Sequence, residues 1–136
     1  SGYSNTSGRN YIMYNFANIE GMQKFSKYTG NGNADGVFIE TDFLPRCVWI
    51  KNVDATEEWC VYAVNDYSPN AYIQPYYNPV DMRLNFTTAN RQVDADIDFL
   101  ANGFKVRNTN AQINSSSTDY VYMAWGNVPF KYDNTL

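Results

Sequence analysis

Apolar and polar positions alternate along this chain in short bursts, each closed by Gly, Asn, Asp or Pro. A period of two is the mark of half-buried strands. It predicts strands over residues 11–17, 22–28, 37–40, 47–51, 59–64, 82–86, 97–100, 104–107 and 119–125. In the second of these, Met22, Lys24, Ser26 and Tyr28 share one face, with Gln23, Phe25 and Lys27 on the other. Residues 47–51 and 59–64 make the best hairpin. Val48 and Ile50 face one way in its first arm, and Cys47, Trp49 and Lys51 face the other. A turn centred near Val53 and Asp54 joins the two arms. Asn102-Gly103 is a type I′ turn signal between two later strands. Residues 65–81 hold Pro69, Pro75 and Pro79, which excludes a central strand or a helix there. No window keeps a helical period over three turns, and residues 17–25 hold at most one short turn. The expected fold is all-β: an antiparallel, jelly-roll-like β-sandwich of about nine short strands with little or no helix.

One run occurs twice. Residues 9–18 line up with 118–127: Tyr11 with Tyr120, Ile12 with Val121, Phe16 with Trp125, Ala17 with Gly126 and Asn18 with Asn127. Each copy follows a Ser/Asn-rich stretch, and one domain's length separates them. Such self-similarity points to a module of a repeated array, or to a domain opening and closing on the same strand type. Two segments are therefore expected. Residues 1–21 are the closing strand of a preceding repeat or the first strand of the same sandwich, and residues 22–136 are the sandwich module.

Composition narrows the chemistry. The chain has 136 residues, 44% hydrophobic and 18% charged, which is a folded domain with a real core. The net charge is −4, with 10 scattered Lys and Arg, so no nucleic-acid partner is expected. No run of eighteen apolar residues occurs, so no membrane partner is expected either. The absence of His removes Ser-His-Asp and Cys-His catalysis and most zinc sites from the chain's own repertoire.

Aromatic residues make up 17% of the chain and carry the best binding candidates. Tyr67, Tyr72, Tyr76 and Tyr77 lie in the proline-rich stretch, where rings near the surface stack on sugar faces and their hydroxyls add polar contacts. Trp49, Trp59 and Trp125 would extend such a platform, but rings of this size are expected to pack the core or cover a sheet end. Asn31, Asn33 and Asp35 place oxygen donors at alternate positions with Gly36 sixth, like the first half of a calcium loop. No helices flank it and the first ligand is Asn, so a Gly/Asn turn is the competing reading. Asp94, Asp96 and Asp98 share a strand face, read as solvated with Ile97 inward. Glu57 and Glu58 are adjacent and point apart, unlike the converging carboxyls of a glycosidase. Asn114-Ser115-Ser116 is one of three matches to the glycosylation pattern. Cys47 and Cys60 flank the hairpin turn. They are either bridged across it by a disulfide or remain two thiols.

Residues 24–36, 45–51, 78–81, 97–107 and 120–131, with the block Ile97-Asp98-Phe99-Leu100-Ala101-Asn102-Gly103-Phe104-Lys105-Val106-Arg107 the sharpest, resemble a domain recurrent in tail-fibre and adhesin-like proteins of tailed, often marine, bacteriophages. The resemblance runs from Lys24 to Lys131. It departs at Cys47 and Cys60, where that family often has aromatic or aliphatic residues, so it implies nothing about their pairing. It implies a virion or extracellular setting, a non-enzymatic role and no cofactor. The partners it implies are a host cell-surface glycan or other virion proteins, and by analogy a homo-oligomer, a trimer in the fibre setting. A structural assembly subunit, such as a capsid decoration or filament module with strand-mediated contacts, is the alternative, and a carbohydrate-active enzyme the third reading.

Overall fold

The structure, a computed structural model, describes residues 6–64, 80–84, 91–92 and 96–126, with side chains for 6–64 and 96–126. It is all-β, with no helix among the described residues. The strands are β1 (Gln23–Thr29), β2 (Phe38–Glu40), β3 (Pro45–Asn52), β4 (Trp59–Ala63), β5 (Val80–Leu84), β6 (Arg91–Gln92), β7 (Ile97–Leu100), β8 (Gly103–Val106) and β9 (Asp119–Gly126). Two antiparallel sheets result, ordered β1-β9-β3-β4-β5-β6 and β2-β8-β7. The body in which side chains are described has seven strands, four in one sheet and three in the other, rather than the nine expected. β5 and β6 continue the larger sheet through backbone pairing at Asp81–Gln92 and Met82–Arg91.

The alternation of the sequence decides what each sheet buries. Val48 and Ile50 of β3, Cys60 and Tyr62 of β4, Tyr28 of β1, and Tyr120, Tyr122 and Ala124 of β9 all point inward. They meet Ile39, Ile97, Phe99, Phe104 and Val106 of the smaller sheet in one core. Phe104 touches the larger sheet edge-on, at 6.4 Å from Tyr28 and 5.4 Å from Tyr122 between ring centroids. Tyr28 stacks on Tyr120 at 5.1 Å. Edge-to-face and offset contacts of this kind stabilise by about 0.5–1.5 kcal/mol beyond area burial.

Buried tyrosines need partners for their hydroxyls, and the β8–β9 connection supplies them. Tyr28 donates to the Ile113 carbonyl at 2.6 Å and Tyr120 to the Ala111 carbonyl at 2.8 Å, while Tyr120 Oη accepts from the Ser115 N–H. Asn114, wholly buried, closes this end of the body. Its Nδ2 donates to Asn31 Oδ1, the Asn33 carbonyl and the Asn108 carbonyl at 2.8–3.0 Å. Its Oδ1 accepts from the Asn31 N–H at 2.9 Å. The two loops it joins lie backbone against backbone. A Cβ on Gly30 would sit 2.3 Å from the Ser115 carbonyl oxygen, so the approach requires glycine.

Three local expectations are corrected. Residues 11–17 form no strand, because β-propensity does not supply a hydrogen-bonding partner. Residues 6–18 instead run as an arm that ends in a tight turn closed by reciprocal Ile19 and Gln23 backbone bonds of 2.9 and 3.0 Å. The β3–β4 turn is centred later than Val53 and Asp54. Cys47 pairs with Ala63 and Ile50 with Cys60, because the Asn52 carboxamide caps the N–H groups of Asp54 and Ala55 and lengthens the loop to residues 53–58. The β7–β8 turn is Ala101-Asn102, with Gly103 already in β8. Gly103 is required there for closeness rather than for positive φ, since a Cβ would lie 2.1 Å from the Ile39 carbonyl oxygen of β2.

Replacing Asn114 by Ala orphans the Asn31 N–H and three acceptors at once. Asn114→Ala is expected to lower the free energy of unfolding by about 2–4 kcal/mol, read from the denaturant midpoint. A loss below about 0.5 kcal/mol would show that this end of the body is not held by the carboxamide.

Candidate functional site

The residues that alternate away from the core do not form a polar surface. Phe25 of β1, Val121, Met123 and Trp125 of β9, Cys47 and Trp49 of β3, and Trp59 and Val61 of β4 all lie on the outer face of the larger sheet. None of the three tryptophans belongs to the core cluster, which corrects the core half of the expectation that they pack the core or cover a sheet end. The reason lies in β3. Once Val48 and Ile50 are both wholly buried, Trp49 must face outward, and the register carries Trp125 and Trp59 with it.

Phe16 of the arm joins this face. It stacks on Phe25 at 5.2 Å and meets Trp125 edge-on at 6.3 Å. From there a continuous row crosses the sheet: Phe25 to Trp125 at 5.6 Å, Trp125 to Trp49 at 5.9 Å, and Trp49 to Trp59 at 6.4 Å. Their planes cross at 71–79° in each of these pairs, so the rings lock edge to face and leave part of each surface open. A shallow depression of about 460 Å³ lies on the same face, lined chiefly by Phe16, Phe25, Lys27, Trp59, Val121 and Met123, with Trp49 and Trp125 outside its lining. Its volume falls within the ordinary range for small-ligand sites, about 300–1,000 Å³. Lys27 supplies a charge at the rim, held by Asp119 at 3.5 Å.

Other predicted site residues find structural employment. Asn31 Oδ1 accepts from the Asn33 N–H and Asn33 Oδ1 from the Asp35 N–H, the self-capping of an Asx turn. Asp35 pairs with Lys105 at 2.7 Å and with Arg107 at 3.8 Å. The oxygens of Asn31, Asn33 and Asp35 thus serve the loop and two cations, the structural use that competes with the calcium-loop reading. Among the described residues no group of three or more His, Cys, Asp or Glu is placed to hold a metal ion. Asp98 pairs with Arg107, and Asp96 is buried, accepting hydrogen bonds from Tyr62 Oη and from the Asn108 carboxamide. Gln112 Nε2 donates to Glu58 at 2.6 Å. Asn114 cannot serve as a glycosylation acceptor in the fold, being buried and fully bonded. Cys47 and Cys60 face opposite sides of the sheet and no disulfide joins them, a consequence of the shifted hairpin register. Burial pushes the Cys47 thiol up, against an opposing hydrogen bond from Trp49. Tyr67, Tyr72, Tyr76 and Tyr77 lie outside the described residues.

The aromatic row was legible in part, through the alternation of Trp49 against Val48 and Ile50. Phe16 was not, because its place depends on the arm's departure from the sheet.

Fold and face together define an all-β module with a second apolar layer on the outside of one sheet. A family described as a domain of unknown function (DUF7483) matches residues 1–129, arm and body alike, and the chain belongs to it. No curated protein and no solved structure matches the chain.

The ion pairs of Asp35 make a pH signature. The hydrogen bond from Lys105, with the charges of Lys105 and Arg107, holds the Asp35 carboxyl below its ordinary value. A depressed carboxyl stabilises the fold above its unfolded pKa, about 3.9, and that contribution disappears as pH falls through the lower folded value. Carboxyl NMR is expected to show Asp35 titrating below the ordinary aspartate range and returning toward it in Lys105→Met. Calcium addition is expected to leave the Asn31, Asn33 and Asp35 resonances unmoved, and a saturable shift there would restore the calcium reading.

Proposed function

We infer that this chain is a non-enzymatic β-sandwich module of a virion appendage, of tail-fibre or adhesin type, that contributes to binding a host-surface glycan. The observation that carries the reading is the aromatic row on the outer face of the larger sheet, with a depression beside Trp59. Half-open rings beside an apolar depression provide faces for sugar C–H groups, and Lys27 at the rim provides a hydrogen-bond donor. The virion setting rests on the resemblance carried by residues 24–131 and places the module outside the cell.

A second reading, a structural assembly subunit, is favoured by a different observation. The arm exposes Ile12, Met13 and Tyr14 by 83%, 77% and 77%, far more than an isolated apolar residue on a finished surface needs. Rings locked edge to face also suit a protein surface as partner.

A glycan array followed by titration on tryptophan fluorescence tests the first reading. Trp59→Ala is expected to weaken binding of the selected glycan at least about tenfold, equal to about 1.4 kcal/mol. Combined substitution of Tyr72, Tyr76 and Tyr77 by Ala, measured in parallel, reports whether the proline-rich stretch shares the site. Absence of any glycan ligand would reject the glycan reading in favour of assembly, and undiminished binding by Trp59→Ala would remove the site from the outer face of the larger sheet.

A further inference from the structure

The arm and the edge of the larger sheet fit one another, though not within one chain. β1 is the outermost strand of that sheet. Its even-numbered residues bond to β9, as the end bonds Gly126 N–H to the Met22 carbonyl and Gly30 N–H to the Thr118 carbonyl show. Odd-numbered residues therefore direct their N–H and C=O groups outward. Gln23 spends its pair on the Ile19 turn, and Phe25 N–H is taken by Asn18 Oδ1 at 2.8 Å. Among the described residues the outward backbone groups of Lys27 and Thr29 meet no partner, which leaves a short open edge. Lys27, the one charged side chain among these four odd positions, is turned toward Asp119.

The arm has the sequence of a strand that already pairs with β1. In the register that β9 uses against β1, Tyr120 stands opposite Tyr28, Val121 opposite Lys27 and Met123 opposite Phe25. Transferred to the matching residues of the arm, this puts Tyr11 opposite Tyr28, Ile12 opposite Lys27 and Tyr14 opposite Phe25. Ile12 and Tyr14 would then extend the outer apolar face, as Val121 and Met123 do on the other side of β1.

An arm cannot take that register on its own β1. The Ile19–Gln23 bridge sets a hairpin in which Asn15 falls opposite Lys27 and Met13 opposite Thr29. Relative to the β9-like register, this is shifted by an odd number of residues. It turns Ile12 and Tyr14 to the inner side. In the single chain the arm leaves the sheet line altogether, Phe16 lands on the outer face, and Ile12, Met13 and Tyr14 stay in solvent.

We propose that residues 10–14 of one copy add as an antiparallel strand to the open β1 edge of a second copy, with Ile12 opposite Lys27. The occupant is a second copy because the arm carries the β9 pattern, which is the pattern β1 already accepts. Strand addition of this kind draws its affinity from main-chain bonds and its register from alternate side chains. It is independent of the glycan reading, which places its ligand at Trp59.

The test mixes two single-cysteine-addition chains, Ile12→Cys and Lys27→Cys, under mild oxidation, with wild type and the mixture of Met13→Cys and Lys27→Cys as controls. Directly opposed residues of an antiparallel pair lie within disulfide reach, about 4.5–5.5 Å between Cα atoms. A disulfide-linked dimer from the first mixture alone, and dissociation of the wild-type oligomer by Tyr14→Asp in sedimentation, are expected. The arm touches the body through Phe16, so circular dichroism of Tyr14→Asp should match wild type. A wild-type chain that stays monomeric at about 0.5 mM, an oligomer indifferent to Tyr14→Asp, or equal linking by the Met13 mixture overturns the proposal. Monomer together with retained glycan binding would overturn strand addition alone and leave the glycan reading standing.

Discussion

Strand β9 is the constraint on which the rest of this structure depends. It is bonded on both edges, to β1 and to β3, and it is apolar on both faces. Tyr120, Tyr122 and Ala124 enter the core, while Val121, Met123 and Trp125 enter the outer layer. A strand with two apolar faces cannot slip by one residue without exchanging its two sets of contacts. Tyr120 would leave Tyr28 and the Ala111 carbonyl, and Trp125 would leave Phe25 and Trp49. The registers of β1 and β3 are set from this one strand, while that of β4 against β3 follows the loop that Asn52 caps.

That constraint links the polar end of the body to its apolar outside. Tyr120 holds the β8–β9 connection through two bonds, and Asn114 within that connection holds the 31–33 loop. The same alternation that sends Tyr120 inward to make those bonds sends Val121 and Met123 outward to floor the depression beside Trp59. The core and the outer aromatic layer are thus opposite faces of a single strand. The arm adds Phe16 to that surface and keeps its other apolar residues exposed.

Much of this was legible in the chain. The period of two located the described strands other than β6, and the shared face of Val48 and Ile50 already implied an outward Trp49. Size-based expectation pulled the tryptophans inward, but alternation is the stronger rule, because the backbone leaves a strand residue only two directions. The places that failed share a cause, which is dependence on distant partners. Residues 11–17 have the composition of a strand and no neighbour in the chain with the right register. The hairpin register turned on Asn52, whose carboxamide caps its own loop. Asn114 reads locally as a turn residue or a glycosylation match, and only the approach of the 31–33 loop, 81–83 residues away, makes it a buried hub. β6, two residues long, carries too little pattern to be seen.

Amide hydrogen exchange resolved to single residues tests the central place of β9 most directly. The account predicts that Tyr120 to Ala124 are the slowest amides of the chain, opening only with global unfolding, and that residues 10–14 exchange quickly in dilute solution. Amides of β9 exchanging as fast as those of the edge strand β1 would contradict it.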